Sequence, residues 1–415
     1  MKSKIGILSL GCPRNLVDSE SLLGRLNLKG YPIVDIDKAE IALVNTCAFI
    51  DEAKKESIDA ILDLIALKKE GKLKKILVYG CLSQRYKDSL SRELPEIDAF
   101  IGKLALNHAP ARFPITPGHY AYLKICEGCI NNCSFCVIPK IKGKFVSLEA
   151  AAILAEVKRF NCQKLGELNI IGQDITAYGA DLKIKEDLTV LLPRIAKAAK
   201  EINWIRLLYL NPGRISDALL AVIRDEPKIC KYIDLPIQHI NSRILKLMRR
   251  KISRQGIIKA IEKIRKVIPE VALRTSIIVG FPGETKKEFK ELLDFIKDAK
   301  FERLGAFAYS REEGTPAYDF KDQVPEEVKS ERLGLIMSSQ QEISRQVNGK
   351  FLGKSLTVLI DEEEGGSYLG RTQYDAPEVD GLVYIRSKKK LYPGDFVKVR
   401  INDTLEYDLV GEVEQ

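Results

Sequence analysis

The chain has 415 residues, 45% of them apolar and 30% charged, with a formal net charge of +9. That length exceeds one ordinary core and points to two or three domains of roughly 100 to 200 residues each. No apolar run approaches the ~18 to 20 residues that cross a bilayer, and no export signature opens the chain, so no membrane is involved and the cytoplasm is the expected compartment.

Residues 1–112 alternate short β-branched runs with amphipathic helices: KIGILSL before NLVDSESLLGRLNL, IALVNT before DEAKKESIDAILDLIALKKE, and KKILVYG before QRYKDSLSREL. The alternation predicts a small parallel α/β sheet. Cys12, Cys47 and Cys81 each fall within three residues of the end of an apolar strand. Parallel strands send their carboxyl ends to one edge, where ligands bind, so three thiols distant in sequence are expected at one rim. Three independent buried cysteines are the bland alternative. FPITPG, residues 113–118, reads as a linker. His108 and His119 flank it and are expected at the surface.

A second domain is expected over 119–348, with strands at YAYLKI, LGELNII, WIRLLYL, KYIDLPI, VALRTSIIVGF and RLGAFAY. Six strand-helix units are too few for an eight-unit barrel and predict an open, partial (β/α)6 barrel. Its first loop carries Cys129, Cys133 and Cys136 in C-x3-C-x2-C spacing, with Cys126 assigned to the preceding strand. The basic run MRRKISRQ reads as a solvated helix face. After a helical stretch, residues 350–415 break into five short strands, the pattern of an OB-like β-barrel. The fold class is thus a multidomain α/β protein with an all-β tail.

An odd count of nine cysteines in a chain with no export signal argues for thiols as ligands or nucleophiles rather than a disulfide framework. Cys162 and Cys230 stand alone and read as buried, inert thiols. Two sets of three thiols suit four-iron, four-sulfur clusters that leave one iron open. The rival is a structural zinc site built from CEGC and CSFC, in a metal-stabilised nucleic-acid-binding module. The charge of +9 suggests an anionic partner, yet the tail from Lys350 holds nine basic against thirteen acidic residues. A tail of −4, with +13 elsewhere, would repel phosphate and favour a basic protein.

C-x3-C-x2-C with Phe135 before the last cysteine resembles the radical S-adenosylmethionine signature. Together with the three upstream cysteines, the tail and segments such as ELNIIGQDITAYG, RTSIIVGFPGET and YSREEGTPAY, the whole chain resembles the methylthiotransferases, the tail being their TRAM domain. GRTQYDAPEVDGLVYI is similar to the branch that modifies an aspartate of small-subunit ribosomal protein number twelve; the other branch modifies a tRNA adenosine. The resemblance implies two 4Fe-4S clusters facing one another, held by Cys12, Cys47 and Cys81 and by Cys129, Cys133 and Cys136, with Cys126 a bystander. It implies S-adenosylmethionine as cofactor, split to a deoxyadenosyl radical that takes hydrogen from the aspartate β-carbon. Phe135 would flank the adenine, Glu167 or Arg274 would meet the methionyl end, and Gln173 and His239 would lie among the supporting groups with Asp174, Gln238 and the Gly280–Glu284 turn. The partners implied are the ribosomal protein, free or on the subunit, a sulfur donor, and an electron donor such as flavodoxin or ferredoxin.

Overall fold

The computed structural model describes residues 2–104, 111–183 and 186–414. His108 lies outside them. In chain order, β1 (Ile5–Ser9) leads to α1 (Pro13–Leu28), β2 (Ile41–Thr46) to α2 (Asp51–Lys69), β3 (Lys75–Gly80) to α3 (Cys81–Glu93), and a short β4 (Ala99–Phe100) ends the series. These strands form a parallel sheet in the order β1-β2-β3-β4. β2 is buried on both faces from Ala42 onward, which is why its sequence is an unbroken apolar run and not an alternating one.

The chain then makes β5 (Tyr120–Lys124), β6 (Cys126–Glu127), α4 (Ile138–Lys142) and β7 (Val146–Ser147), and β6 pairs antiparallel with β7. Next come α5 (Ala150–Asn161), β8 (Glu167–Ile171), α6 (Leu188–Ala198), β9 (Trp204–Leu207), α7 (Asp217–Asp225), β10 (Ile229–Asp234), α8 (Ser242–Leu247) and α9 (Arg254–Val267). They are followed by β11 (Ala272–Val279), α10 (Lys286–Ala299), β12 (Arg303–Ala308) and α11 (Glu326–Asn348). β5, β8, β9, β10, β11 and β12 form one parallel sheet in that order, with β5 and β12 as its edges. A parallel sheet whose first and last strands do not pair is the open barrel expected.

The tail supplies β13 (Ser355–Glu364), β14 (Ser367–Thr372), β15 (Val383–Arg386), β16 (Phe396–Thr404) and β17 (Leu409–Val413), a closed barrel in the order β13-β14-β15-β17-β16. Val358, Ile360, Val383, Ile385, Val399 and Ile401 fill it. By contacts, the chain forms two compact units: Met1–Pro117 with Cys126–Leu148 and Glu312–Thr315, and Gly118–Ile125 with Glu149–Arg311 and Pro316–Gln415. The cysteine loop therefore packs with the amino-terminal sheet, and Val137 and Ile141 enter the same core as Val44, Ile76 and Val78. The tail packs with the six-stranded sheet.

Four expectations need correcting. Cys162, expected to be buried, is exposed after the end of α5, whereas Cys230 is buried as expected. Cys126 is not part of β5: the strand stops at Lys124, and Cys126 sits in the β6–β7 ladder opposite Ser147, fully buried. MRRKISRQ lies mostly on the turn between α8 and α9, where Arg249 takes φ +56 and Arg250 donates to Pro236 O at 2.8 Å. His119 is 4% exposed, its Nε2 2.7 Å from Asp361 Oδ1.

Candidate metal centres and the barrel interior

The first thiol set is assembled by strand ends. β1, β2 and β3 stop three, one and one residues before Cys12, Cys47 and Cys81. Gly11 (φ +86) makes the close approach possible, because a Cβ there would stand 2.8 Å from Cys47 Sγ. Gly80 (φ +100) plays the matching part before Cys81, where a Cβ would collide with Asn45 Oδ1 at 2.4 Å. Only glycine satisfies both the left-handed backbone and the lack of space.

Asn15 ties the three ends together. Its Nδ2 donates to Leu10 O (3.1 Å) and Thr46 O (3.2 Å), and its Oδ1 accepts from Cys81 Sγ (3.8 Å) and Lys142 Nζ (3.3 Å). Lys142, at the end of α4, is 4% exposed and pairs with Asp18 at 3.1 Å. Burial opposes its charge, but Asp18 and the nearby Cys81 raise its pKa. Neither Asn15 nor Lys142 was singled out from sequence. The one available signal was Asn15 three residues after a strand-end cysteine, and nothing in the sequence announces that residue 142 returns to it.

The second set lies on the loop between β6 and α4, with Cys129, Cys133 and Cys136 half-buried and Phe135 beside them likewise. Burial pushes the Cys81 and Cys136 thiols each up to about 12. Burial raises Cys47 too, with repulsion from Cys12 adding to it. Cys12 alone is lowered: burial works against its thiolate, but Arg14, a backbone hydrogen bond from Asn15, and Lys142 outweigh it. Arg14 acts on Cys12, Cys47 and Cys136 alike, so one guanidinium is within electrostatic reach of both sets. Crowded thiols that repel one another's charge need a cation to ionise together, and a metal group supplies it.

No three His, Cys, Asp or Glu side chains among the described residues gather closely enough for a single metal ion. A cluster that takes one thiolate at each of three corners suits two sets of three thiols.

In the other unit, two layers of the six-stranded sheet differ in what they leave unsatisfied. The layer near the strands' amino ends is filled by charge pairs to the tail. Glu167 is fully buried, its two oxygens accepting from Arg206 Nε and Arg371 Nη1, each at 2.6 Å. Arg206 Nη1 continues to Gln373 O (2.7 Å), and Arg371 to Asp361 (2.8 and 2.9 Å). Around the same level, Arg303 Nε donates to Asp375 (2.7 Å), Tyr232 OH to Asp380 (2.6 Å) and Tyr120 OH to Glu378 (2.7 Å). Arg274 stands between Asp234 (3.2 Å) and Asp380 (3.4 Å). The segment 372–380, joining β14 to β15, therefore stops this end of the sheet. Glu167 and Arg274 are both engaged with their own chain, each Glu167 oxygen accepting one hydrogen bond.

Towards the carboxyl ends, groups are unsatisfied. Both amide atoms of Gln173, just after β8, are buried without a hydrogen-bond partner among the described residues, as are those of Asn169 within it. His239, after β10, accepts from Asn241 N–H at Nδ1 (2.9 Å), so Nε2 carries the proton, and that nitrogen lies 3.6 Å from Glu284 Oε2, beyond hydrogen-bond reach. Glu284 is meanwhile held by Arg332 (2.6 Å) and by Gly280 N–H (3.0 Å). Asp174 is occupied by Asn211, Thr176 and Arg214. Gln238 (φ +71) and Tyr209 (φ +65), after neighbouring strands, hold left-handed backbone that side chains rarely adopt, a strain that collects at functional sites.

Residues 123–296 match the Radical SAM superfamily, residues 4–102 the Uncharacterized protein family UPF0004, and residues 352–413 the TRAM domain. The chain is 46% identical to a protein of Clostridioides difficile over 99% of its own length and 98% of that protein. It is 47% identical to one of Caldanaerobacter subterraneus subsp. tengcongensis, covering 98% and 99%. Both bear the name Ribosomal protein uS12 methylthiotransferase RimO. Among solved structures, the radical S-adenosylmethionine methyltransferase TsrM from Kitasatospora setae aligns with TM-score 0.52 and 12% identity over 76% of this chain and 74% of its own. That likeness is one of fold.

Proposed function

The chain belongs to the family of ribosomal protein uS12 methylthiotransferases named RimO, and from that premise we propose that it adds a methylthio group to the β-carbon of an aspartate in uS12, using two 4Fe-4S clusters and S-adenosylmethionine. The observation that carries the reading is similarity along the entire chain, sheet, barrel and tail together, at 45–47% identity.

Cys12, Cys47 and Cys81 hold one cluster and Cys129, Cys133 and Cys136 the other. When bound, the clusters and S-adenosylmethionine supply the electron, the abstraction of hydrogen from an unactivated carbon, the sulfur and the methyl group. Arg14 and Lys142 favour the thiolate form that iron takes. Asn15 keeps the three strand ends in register. In the barrel unit, the unused amide of Gln173 and the Nε2–H of His239 are offered to polar groups of the cofactor, recovering the ~1–3 kcal/mol that an unsatisfied buried polar group costs. Phe135, next to the loop cysteines in sequence, offers a ring face to the adenine. The tail segment 372–380 keeps water from the amino-terminal end of the barrel. Electrons come from a donor such as flavodoxin or ferredoxin, and sulfur from a separate donor.

The test is anaerobic reconstitution followed by incubation with S-adenosylmethionine, reductant and sulfide, with either uS12 or unmodified tRNA. The expected result is a uS12 aspartate heavier by one methylthio group in place of hydrogen, with tRNA unchanged. Modified tRNA adenosine with unmodified uS12 would overturn the proposal.

A further inference from the structure

The two edges of the six-stranded sheet are treated differently. β5 is buried at every residue, whereas β12 is accessible from Leu304 to Ala308. Tyr309 N–H donates to Val279 O at 2.9 Å, so residues 309, 307 and 305 direct their backbone groups towards β11. By alternation, Leu304, Ala306 and Ala308 direct theirs away, and among the described residues nothing bonds them on that side. Exposed edges are usually guarded by lysine, proline or inward-pointing charge. This one reads RLGAFA, and its only charge, Arg303, is spent on Asp375.

The strand also carries an exposed aromatic ring. Phe307 is 49% exposed. It shares a face with Gly305, Ser276, Ile278 and Arg274, since a Cβ on Gly305 would lie 3.6 Å from the Phe307 ring and 3.9 Å from Arg274 Nη2. On β11 that face is the accessible one, at Arg274, Ser276 and Ile278, while Thr275, Ile277 and Val279 are buried. A strand edge with no outward backbone bonds among the described residues, and an exposed ring beside it on the accessible face, fits an extended polypeptide, which brings its own alternating N–H and C=O groups and side chains of period two. A nucleic acid has no such ladder to offer.

We propose that the target segment of the substrate protein adds to β12 as a further strand, pairing with Leu304, Ala306 and Ala308 and packing a side chain against Phe307. This rests on the protein-substrate reading above and specifies how the substrate is held. The test uses the reconstituted full chain with uS12 and with a synthetic peptide spanning its target aspartate. Ala306→Pro removes one outward N–H and places a ring on the edge, at a position where proline is compatible with an edge strand. Ala306→Pro and Phe307→Ala are each expected to raise KM for uS12 by about tenfold, the size of a lost backbone pairing or ring contact, with kcat within about twofold. Unchanged KM in both overturns the inference while uS12 modification by the unaltered chain leaves the function standing. Should Ala306→Pro fail to fold, peptides N-methylated at successive backbone nitrogens decide the matter with the unaltered chain. Alternating loss and retention of turnover along the peptide supports an added strand, and a uniform response overturns it.

Discussion

Replacing Glu167 with glutamine changes almost nothing in shape and removes the one charge between two buried guanidinium groups. Arg371 would keep Asp361, at 2.8 and 2.9 Å. Arg206, fully buried, would keep only the carbonyls of Gln373 (2.7 Å) and Thr372 (3.4 Å) and the face of Tyr232, 4.8 Å from its guanidinium carbon. Removing one partner from a buried ion pair leaves an uncompensated charge and costs about 3–5 kcal/mol. At roughly 2 °C per kcal/mol for a unit of this size, the melting temperature of cluster-free Glu167→Gln should fall by about 6–10 °C. The pH dependence has a definite sign. Burial pushes the Glu167 carboxyl up, but Arg206 and Arg371 hold it below the usual carboxylate value. The stabilisation is therefore complete above the unfolded-state value of about 4.3 and is lost only as pH falls through the lower folded value, so the gap between parent and variant should be constant from about pH 6 to 8. Circular dichroism melts under argon measure both quantities. A melting temperature within about 2 °C of the parent, combined with a rise in KM for S-adenosylmethionine, would return Glu167 to the cofactor and refute the structural role.

Other consequences are as direct. Cys126→Ala should keep roughly eight irons per chain, whereas alanine at Cys129, Cys133 or Cys136 should leave about four and abolish deoxyadenosine formation, as read by iron assay and chromatography. Lys142→Met removes the cation that pairs with Asp18 and should lower iron at the strand-end set to well under half, with Lys142→Arg restoring much of it; the loop set's cleavage of S-adenosylmethionine should persist. Thr285 caps α10 reciprocally with Glu288, and Thr285→Ala should cost about 1 kcal/mol in denaturant unfolding. Burial opposes the Glu288 charge, but hydrogen bonds from Arg243 and Thr285 bring its pKa to about 2. Its stabilisation is present above about 4.5 and fades as pH falls towards 2, so Glu288→Gln should flatten that acid limb.

What could be seen in the sequence was whatever depends on local pattern. Strands buried on both faces must be continuously apolar, so IALVNT announced itself, and parallel strands fix where their ends go, so three strand-end cysteines could be matched to one rim. Pairings between distant short segments leave no such trace. Two-residue strands such as β6 have no periodicity, and the apolar run through YAYLKIC extended past Lys124 with nothing to mark the break. The same limit hid Asn15 and Lys142, whose importance comes from meeting each other. It misplaced His119 as well, because its partner Asp361 lies 242 residues away.

The acidic tail shows how a correct expectation can rest on a wrong cause. Its excess of acid suggests, on sequence alone, a basic protein substrate. Asp361, Asp375, Glu378 and Asp380 are instead committed to His119, Arg303, Tyr120, Tyr232 and Arg274 within the same unit, and Arg371 is committed to Glu167. Setting those five aside leaves eight basic against nine acidic residues on the tail, close to neutral. A nearly balanced surface neither repels a phosphate backbone strongly nor draws in a basic protein. The charge count therefore gives no reason to choose between the two substrates, and the preference for protein comes from chain-wide similarity. Those acids do work inside the molecule: they bind the tail to the sheet through the level at which its strands begin. Shortening the tail should then damage the barrel itself. A chain ending before Lys350 should lose barrel stability, seen as a lower melting temperature and an exposed Arg206, and should fail to act even on a short peptide substrate that needs no docking surface on the tail. Full activity of that truncated chain on the peptide would show that segment 372–380 is dispensable to the barrel.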